Sequence, residues 1–153
     1  MNQESGRSMI EMLGVLAIMG MLTVGAYELI KLAFDNQKQM KGTEEIFAIV
    51  NEVRKIHSQY DDFSNMDGDV ILSMMEKKQN PYGGTYELTV DPTNARQFIL
   101  TINGLSKSEC QALITRAWTD SIGYKLSDKK ESGATGSCNG TGDSNYVQIT
   151  YGE

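Results

Sequence analysis

The strongest constraint on this chain is an apolar run close to its start. Residues 12–26 contain no charge. With Glu11 tolerated at one end and Glu28 and Lys31 at the other, the apolar span covers residues 9–34. A membrane-spanning helix needs about 20 residues, so this run is long enough. A secretory signal has a shorter core, then a small-x-small cleavage site and polar mature sequence. Here Leu29, Ile30, Leu32, Ala33 and Phe34 carry the pattern past Lys31. The run grades into more helix, and reads as a retained anchor. Glu11 is its anomaly, because a carboxylate at mid-bilayer is unfavourable by about 3 kcal/mol on insertion scales.

The rest of the chain is polar and holds both prolines and most of the glycines. At 153 residues the whole amounts to one domain plus an extension. The net charge of −6 argues against nucleic acid as a partner, since phosphate binding needs a basic face. Cys110 and Cys138 lie far apart with no C-x-x-C spacing, and His57 is the sole histidine, so a four-ligand zinc site lacks its ligands. A disulfide between the two is the simpler reading and implies an oxidising compartment. The other reading is two buried reduced thiols. Counting Lys31, Lys38 and Lys41 against Arg7 puts the C-terminal part inside. The cysteines put it outside, and carry more weight.

The stretch Gly6-Arg7-Ser8-Met9-Ile10-Glu11-Met12-Leu13-Gly14-Val15-Leu16-Ala17-Ile18 resembles the N-terminus of type IV prepilins. In that family a short hydrophilic leader ends in Gly, a prepilin peptidase cuts after it on the cytoplasmic side, and the new amine is N-methylated. The mature chain carries a Glu at its fifth position inside an apolar helix. The resemblance implies a leader of residues 1–6, cleavage between Gly6 and Arg7, an N-methylated Arg7, and Glu11 in filament assembly. Glu11 would pair with the N-terminal ammonium of a neighbouring subunit. Such a pair in low dielectric sets register more than it adds stability, because losing one partner leaves an uncompensated charge. The alternative is a carboxylate that only complements the helix dipole. Arg7 differs from the Phe or Met usual at that place, and the apolar helix has no Pro; Gly14, Gly20 and Gly25 would supply plasticity there or permit close helix packing.

Residues 35–45 are polar nearly all round and include Gly42, so a helix through them has little local support. Ile46, Phe47, Ile49, Val50, Val53, Ile56, His57 and Tyr60 then recur at three- and four-residue steps, one stripe of an amphipathic helix against a sheet. His57 reads as a structural histidine. Asp67 is a candidate cap for a short helix over residues 68–78, with Val70, Ile71, Met74 and Met75 facing in. Asn65, Asp67 and Asp69 lack the Gly and distal Glu placement of an EF-hand. Asn80, Pro81, Tyr82, Gly83 and Gly84 form a turn. Residues 86–90 and 97–102 predict an antiparallel strand pair, ended by Asn103-Gly104. Residues 105–118 predict a helix, capped by Ser106 or Ser108 with Glu109 in its first turn. Residues 127–145 predict an exposed loop holding Cys138 and an Asn139-Gly140-Thr141 sequon, and residues 146–151 a last strand.

The expected fold is therefore α+β. A long N-terminal α-helix has its hydrophobic half protruding and its amphipathic half packed on an antiparallel sheet, with short extra helices and a C-terminal disulfide-bounded loop. This order is similar to that of the type IVb pilins. The expected divisions are 1–6 leader, 7–34 transmembrane and filament-core helix half, 35–60 amphipathic helix half and 61–153 globular head. The residues offer no Ser/His/Asp set, phosphate loop or metal cluster, so neither an enzyme nor a cofactor is expected. The resemblance implies a pilin, major or minor. Its partners would be itself in a homopolymer or mixed pilus, the prepilin peptidase, the inner-membrane assembly machinery, and membrane lipid before assembly. It would sit in the bacterial inner membrane with its head in the periplasm, then in an extracellular pilus used for adhesion or related tasks. The alternatives are a type II secretion pseudopilin and a single-pass membrane protein with a periplasmic binding domain.

Overall fold

The structure, a computed structural model, describes residues 4–122, 125–126, 129–130 and 133–152; for residues 4–7, 125–126 and 129–130 it describes the backbone alone. Two compact units divide the chain, residues 1–38 and residues 39–153. Helix α1 (Glu4–His57) supplies all of the described first unit and the first element of the second. Residues 35–45 are helical throughout, although their sequence offers little amphipathic support.

The second unit is built on a four-stranded antiparallel sheet in the order β1-β2-β6-β5. Strand β1 (Tyr86–Val90) pairs with β2 (Gln97–Leu105), β2 with β6 (Asn145–Gly152), and β6 with β5 (Ala134–Ser137). Period-two alternation sends every second side chain to one face. Leu88, Leu100, Ile149 and Ala134 align as a buried row across all four strands. Tyr86, Ile102 and Val147 form the next row, and Phe98 with Tyr151 another. Ile46, Ile49, Val50 and Val53 of α1 join these rows in one core. Of the expected stripe, Phe47 is partly exposed, and Tyr60 lies beyond the helix and faces solvent. A two-stranded ribbon, β3 (Lys125–Leu126) with β4 (Lys129–Lys130), follows the last helix.

Several boundaries differ from the sequence expectation. Helix α2 (Gly68–Met74) stops short of residue 78, and Glu76 adopts a positive φ of 55°. Its inward residues are Ile71 and Leu72, while Val70 and Met74 face solvent. The Asp67 cap does form, its carboxylate accepting from the Val70 N–H at 3.0 Å. Strand β2 runs through Asn103-Gly104, because Gly104 (φ 74°) takes up a register shift and Leu105 pairs onward with Asn145. That is a bulge, not a turn. Helix α3 (Lys107–Ile114) is shorter than expected at both ends. Leu105 belongs to β2, and Trp118 packs back on its own, its indole N–H donating to the Leu113 carbonyl at 2.9 Å. The expected 127–145 loop contains strand β5; its residues 127, 128, 131 and 132 lie outside the described residues.

Candidate assembly surface

Helix α1 is long and apolar enough to cross a membrane, and its most apolar window has no buried residue. Between Met9 and Phe34 its large apolar side chains are 54% to 78% exposed. Fully withdrawing one such side chain from water is worth about 1.5–3 kcal/mol. The segment has no amphipathic phase that one flat core would satisfy, so an apolar medium or other helices must cover it on several sides.

Glu11 lies inside this surface and is exposed. The ion pairs among the described residues are Arg54–Asp120, Lys55–Glu52 and Lys77–Glu45, so none engages Glu11. Gly6 and Arg7 are helical in backbone. Of the expected leader, residues 1–3 lie outside the described residues. Gly14, Gly20 and Gly25 each face open space, with no atom within 4 Å of where a Cβ would stand. Thr23 returns its hydroxyl to the Met19 carbonyl and so carries no unpaired donor into the apolar surface.

In the second unit, Cys110 of α3 is bonded to Cys138, with Cα atoms 5.6 Å apart at a sequence separation of 28. Ser106 and Glu109 form a reciprocal capping box that fixes the start of the helix carrying Cys110. Beyond Cys138 the chain is fastened by Asn145, which sequence reasoning left inside a loop. This residue is 1% exposed. Its amide donates to the Leu105 carbonyl at 2.9 Å and accepts from the Gly140 N–H at 2.8 Å. Residues 135–137, 139 and 141–144 are left on the surface of this bounded region.

The turn between α2 and β1 is organised by Asn80, another buried polar residue whose role the sequence did not reveal. Its carbonyl oxygen accepts from the Tyr82 and Gly84 N–H groups, and its amide donates to the Thr85 and Asn103 carbonyls. Nearby, Lys77 pairs with the half-buried Glu45 of α1 at 2.7 Å, and the Tyr86 hydroxyl donates to the same carboxylate at 3.3 Å. Burial, then the Glu45 charge, raises the Tyr86 pKa and keeps that hydroxyl a donor. His57 is mostly buried, its Nδ1–H donating to the Val53 carbonyl at 3.2 Å, which makes it a packed structural residue.

No protein-family model matches the chain. Among curated proteins it is 27% identical over 147 residues to the major structural subunit of bundle-forming pilus of Escherichia coli O111:H-, covering 86% of this chain and 75% of that protein. The same figures hold for the protein of that description in Escherichia coli O127:H6 (strain E2348/69 / EPEC). It is 21% identical over 128 residues to the toxin coregulated pilin of Vibrio cholerae serotype O1, covering 73% of this chain and 57% of that protein.

Proposed function

We propose, from its homology to the type IVb pilins, that this chain is a structural subunit, a major or minor pilin, of a bacterial type IV pilus. The observation that carries the reading is the uncovered apolar surface of α1 with Glu11 set inside it. Lipid satisfies that surface before assembly; the α1 helices of other copies satisfy it afterwards. The prepilin peptidase removes residues 1–6 and the new amine at Arg7 is methylated. Residues 7–34 then serve as membrane anchor and filament core, residues 35–60 as the amphipathic half, and residues 61–153 as the head. Glu11 pairs with the methylated ammonium of a neighbour, and the inner-membrane machinery drives the transfer. The head folds in the periplasm, where the Cys110–Cys138 bond persists, and the exposed surface bounded by that bond meets the outside of the pilus. The test is the N-terminus of assembled protein. Intact mass of purified filaments is expected to show a chain starting at methylated Arg7. Finding Met1 still attached in filaments would overturn the reading.

A further inference from the structure

Two of the chain's asparagines, Asn103 and Asn139, precede glycine. Self-modification of an asparagine is easiest in this dipeptide. Glycine has no Cβ to shield its backbone nitrogen, and its free backbone can turn that nitrogen toward the asparagine side chain. The fold holds the two sites differently. Asn103 lies inside β2, between β1 and β6. Its N–H donates to the Thr85 carbonyl at 2.9 Å, and its carbonyl accepts from the Asn80 amide at 2.7 Å. That carbonyl shares a rigid peptide plane with the Gly104 nitrogen, so the sheet and its adjoining turn fix the nitrogen. Asn139 is exposed and follows Cys138 directly. Here a single side chain holds the glycine. The Gly140 N–H donates to Asn145 Oδ1 at 2.8 Å, and the Asn145 amide donates to the Gly140 carbonyl at 3.4 Å.

We propose that Asn139 is a site of spontaneous deamidation in the folded protein, at a rate set by the grip of Asn145 on Gly140. The Gly140 nitrogen gives up its proton and attacks the side-chain carbonyl carbon of Asn139. The bond from that carbon to the amide nitrogen breaks, and ammonia leaves with the proton. Water then opens the cyclic imide at either carbonyl, which gives aspartate or isoaspartate. Water is the one co-reactant, and no oxidant is needed. Attack requires the Gly140 nitrogen to leave Asn145 and turn toward Asn139. That is a local opening of an exposed loop, whereas Asn103 reacts only when the sheet opens, and local openings are far more frequent than global ones. Asn145 is itself 1% exposed and anchored to the Leu105 carbonyl, so its grip slows the reaction without abolishing it. Each event adds a negative charge to the exposed surface bounded by the disulfide, and isoaspartate also lengthens the backbone by one carbon next to Cys138. The charge of that surface therefore rises with the age of the molecule. This inference stands apart from the filament reading.

The test is timed incubation of the full chain in detergent at mildly alkaline pH, followed by peptide mapping that separates asparagine, aspartate and isoaspartate. In the folded protein Asn139 is expected to convert while Asn103 stays intact. In guanidinium chloride the two are expected to convert at similar rates, with Asn139 at least about tenfold faster than in the folded chain. Asn145→Ala is expected to speed Asn139 by about tenfold through loss of both bonds to Gly140, with intact Asn103 reporting that the sheet is still formed. Should that variant convert both sites together, and so prove unfolded, hydrogen exchange of the wild-type Gly140 N–H decides. Its protection is expected to match the slowing of Asn139 within about threefold, because one opening gates both. Conversion of Asn139 no faster than Asn103 in the folded chain, equal Asn139 rates with and without denaturant, an unchanged rate in a folded Asn145→Ala, or an unprotected Gly140 N–H would overturn the inference.

Discussion

Tyr82 lies across Gly42. A Cβ added at position 42 would stand 2.7 Å from the Cζ of the tyrosine ring and 2.8 Å from its Cε2. The ring thus reaches α1 where the helix carries no side chain, and the close approach requires glycine. Glycine in a helix interior ordinarily costs about 1 kcal/mol relative to alanine. Here that gain is outweighed, because displacing a buried ring overpacks the core by about 1–3 kcal/mol. Gly42→Ala is expected to lower stability by up to about 2 kcal/mol and Gly42→Val by more, read as a fall in urea midpoint at constant m-value. A stabilised Gly42→Ala, following helix propensity alone, would contradict the contact.

The 80–84 turn rests on one side chain. Asn80→Ala removes the carboxamide and its four hydrogen bonds, and leaves the Tyr82 and Gly84 N–H groups and the Asn103 carbonyl short of a bond. Unmade buried hydrogen bonds make this change unfavourable by about 2–4 kcal/mol. Asn80→Asp keeps the two accepted bonds and loses the two donated ones, so its thermal midpoint is expected between wild type and Asn80→Ala. Equal melting of all three would show that the turn stands without this network.

These two contacts mark where the sequence was legible and where it was not. The apolar run, Glu11 and the Ile46, Ile49, Val50, Val53 stripe were readable because periodicity and charge are local properties of the chain. Strand β5 was hidden because Ala134, Thr135, Gly136 and Ser137 have loop composition. They pair because Gly136 lets the β6 backbone approach, where a Cβ would meet the Tyr146 carbonyl. Asn103-Gly104 reads as a turn, yet becomes a bulge once Asn145 offers Leu105 a partner from 40 residues away. In α2, a seven-residue helix, Leu72 with Ile71 sets the buried face, and too few turns exist for periodicity to separate them from Val70 and Met74. What escaped the sequence in each case is a partner distant along the chain.

The disulfide closes a 28-residue separation. Chain-entropy arithmetic gives such a closure about 3–4 kcal/mol. Cys110→Ser or Cys138→Ser is expected to lower stability by roughly that amount and to reduce folded subunit at the cell surface. Peptide mapping without reduction is expected to find the two residues linked. Alkylation of both in unreduced protein from cells would contradict the linkage and the periplasmic placement together.

Stability is expected to fall in alkali through buried tyrosines. Burial, then the Glu109 charge, pushes the Tyr82 hydroxyl up to about 12 from 10.0, with Arg116 opposing. Burial likewise raises Tyr86 and Tyr151. Above pH 10 the unfolded chain loses these protons while the folded one keeps them. Stability contributed by the neutral hydroxyls is therefore complete below pH 10 and, for Tyr82, is lost between about pH 10 and 12. Urea midpoints at pH 9, 10 and 11 check this. Tyr82→Phe is expected to flatten the decline. An unchanged midpoint from pH 9 to 11 would contradict the burial of these hydroxyls.

The proposed assembly turns on what Glu11 does, and filament yield from Glu11→Ala measures it directly. Removing the charge eases membrane insertion, and a carboxylate that merely complements the helix dipole is worth less than about 1 kcal/mol. If Glu11 pairs with a neighbour's terminal ammonium, the variant leaves that ammonium unpaired in a low-dielectric bundle of helices, which is strongly unfavourable. The expected result is a subunit that is cleaved, inserted and disulfide-bonded at wild-type levels but assembles few or no filaments. Wild-type filament yield from Glu11→Ala, at equal subunit levels, would contradict the account.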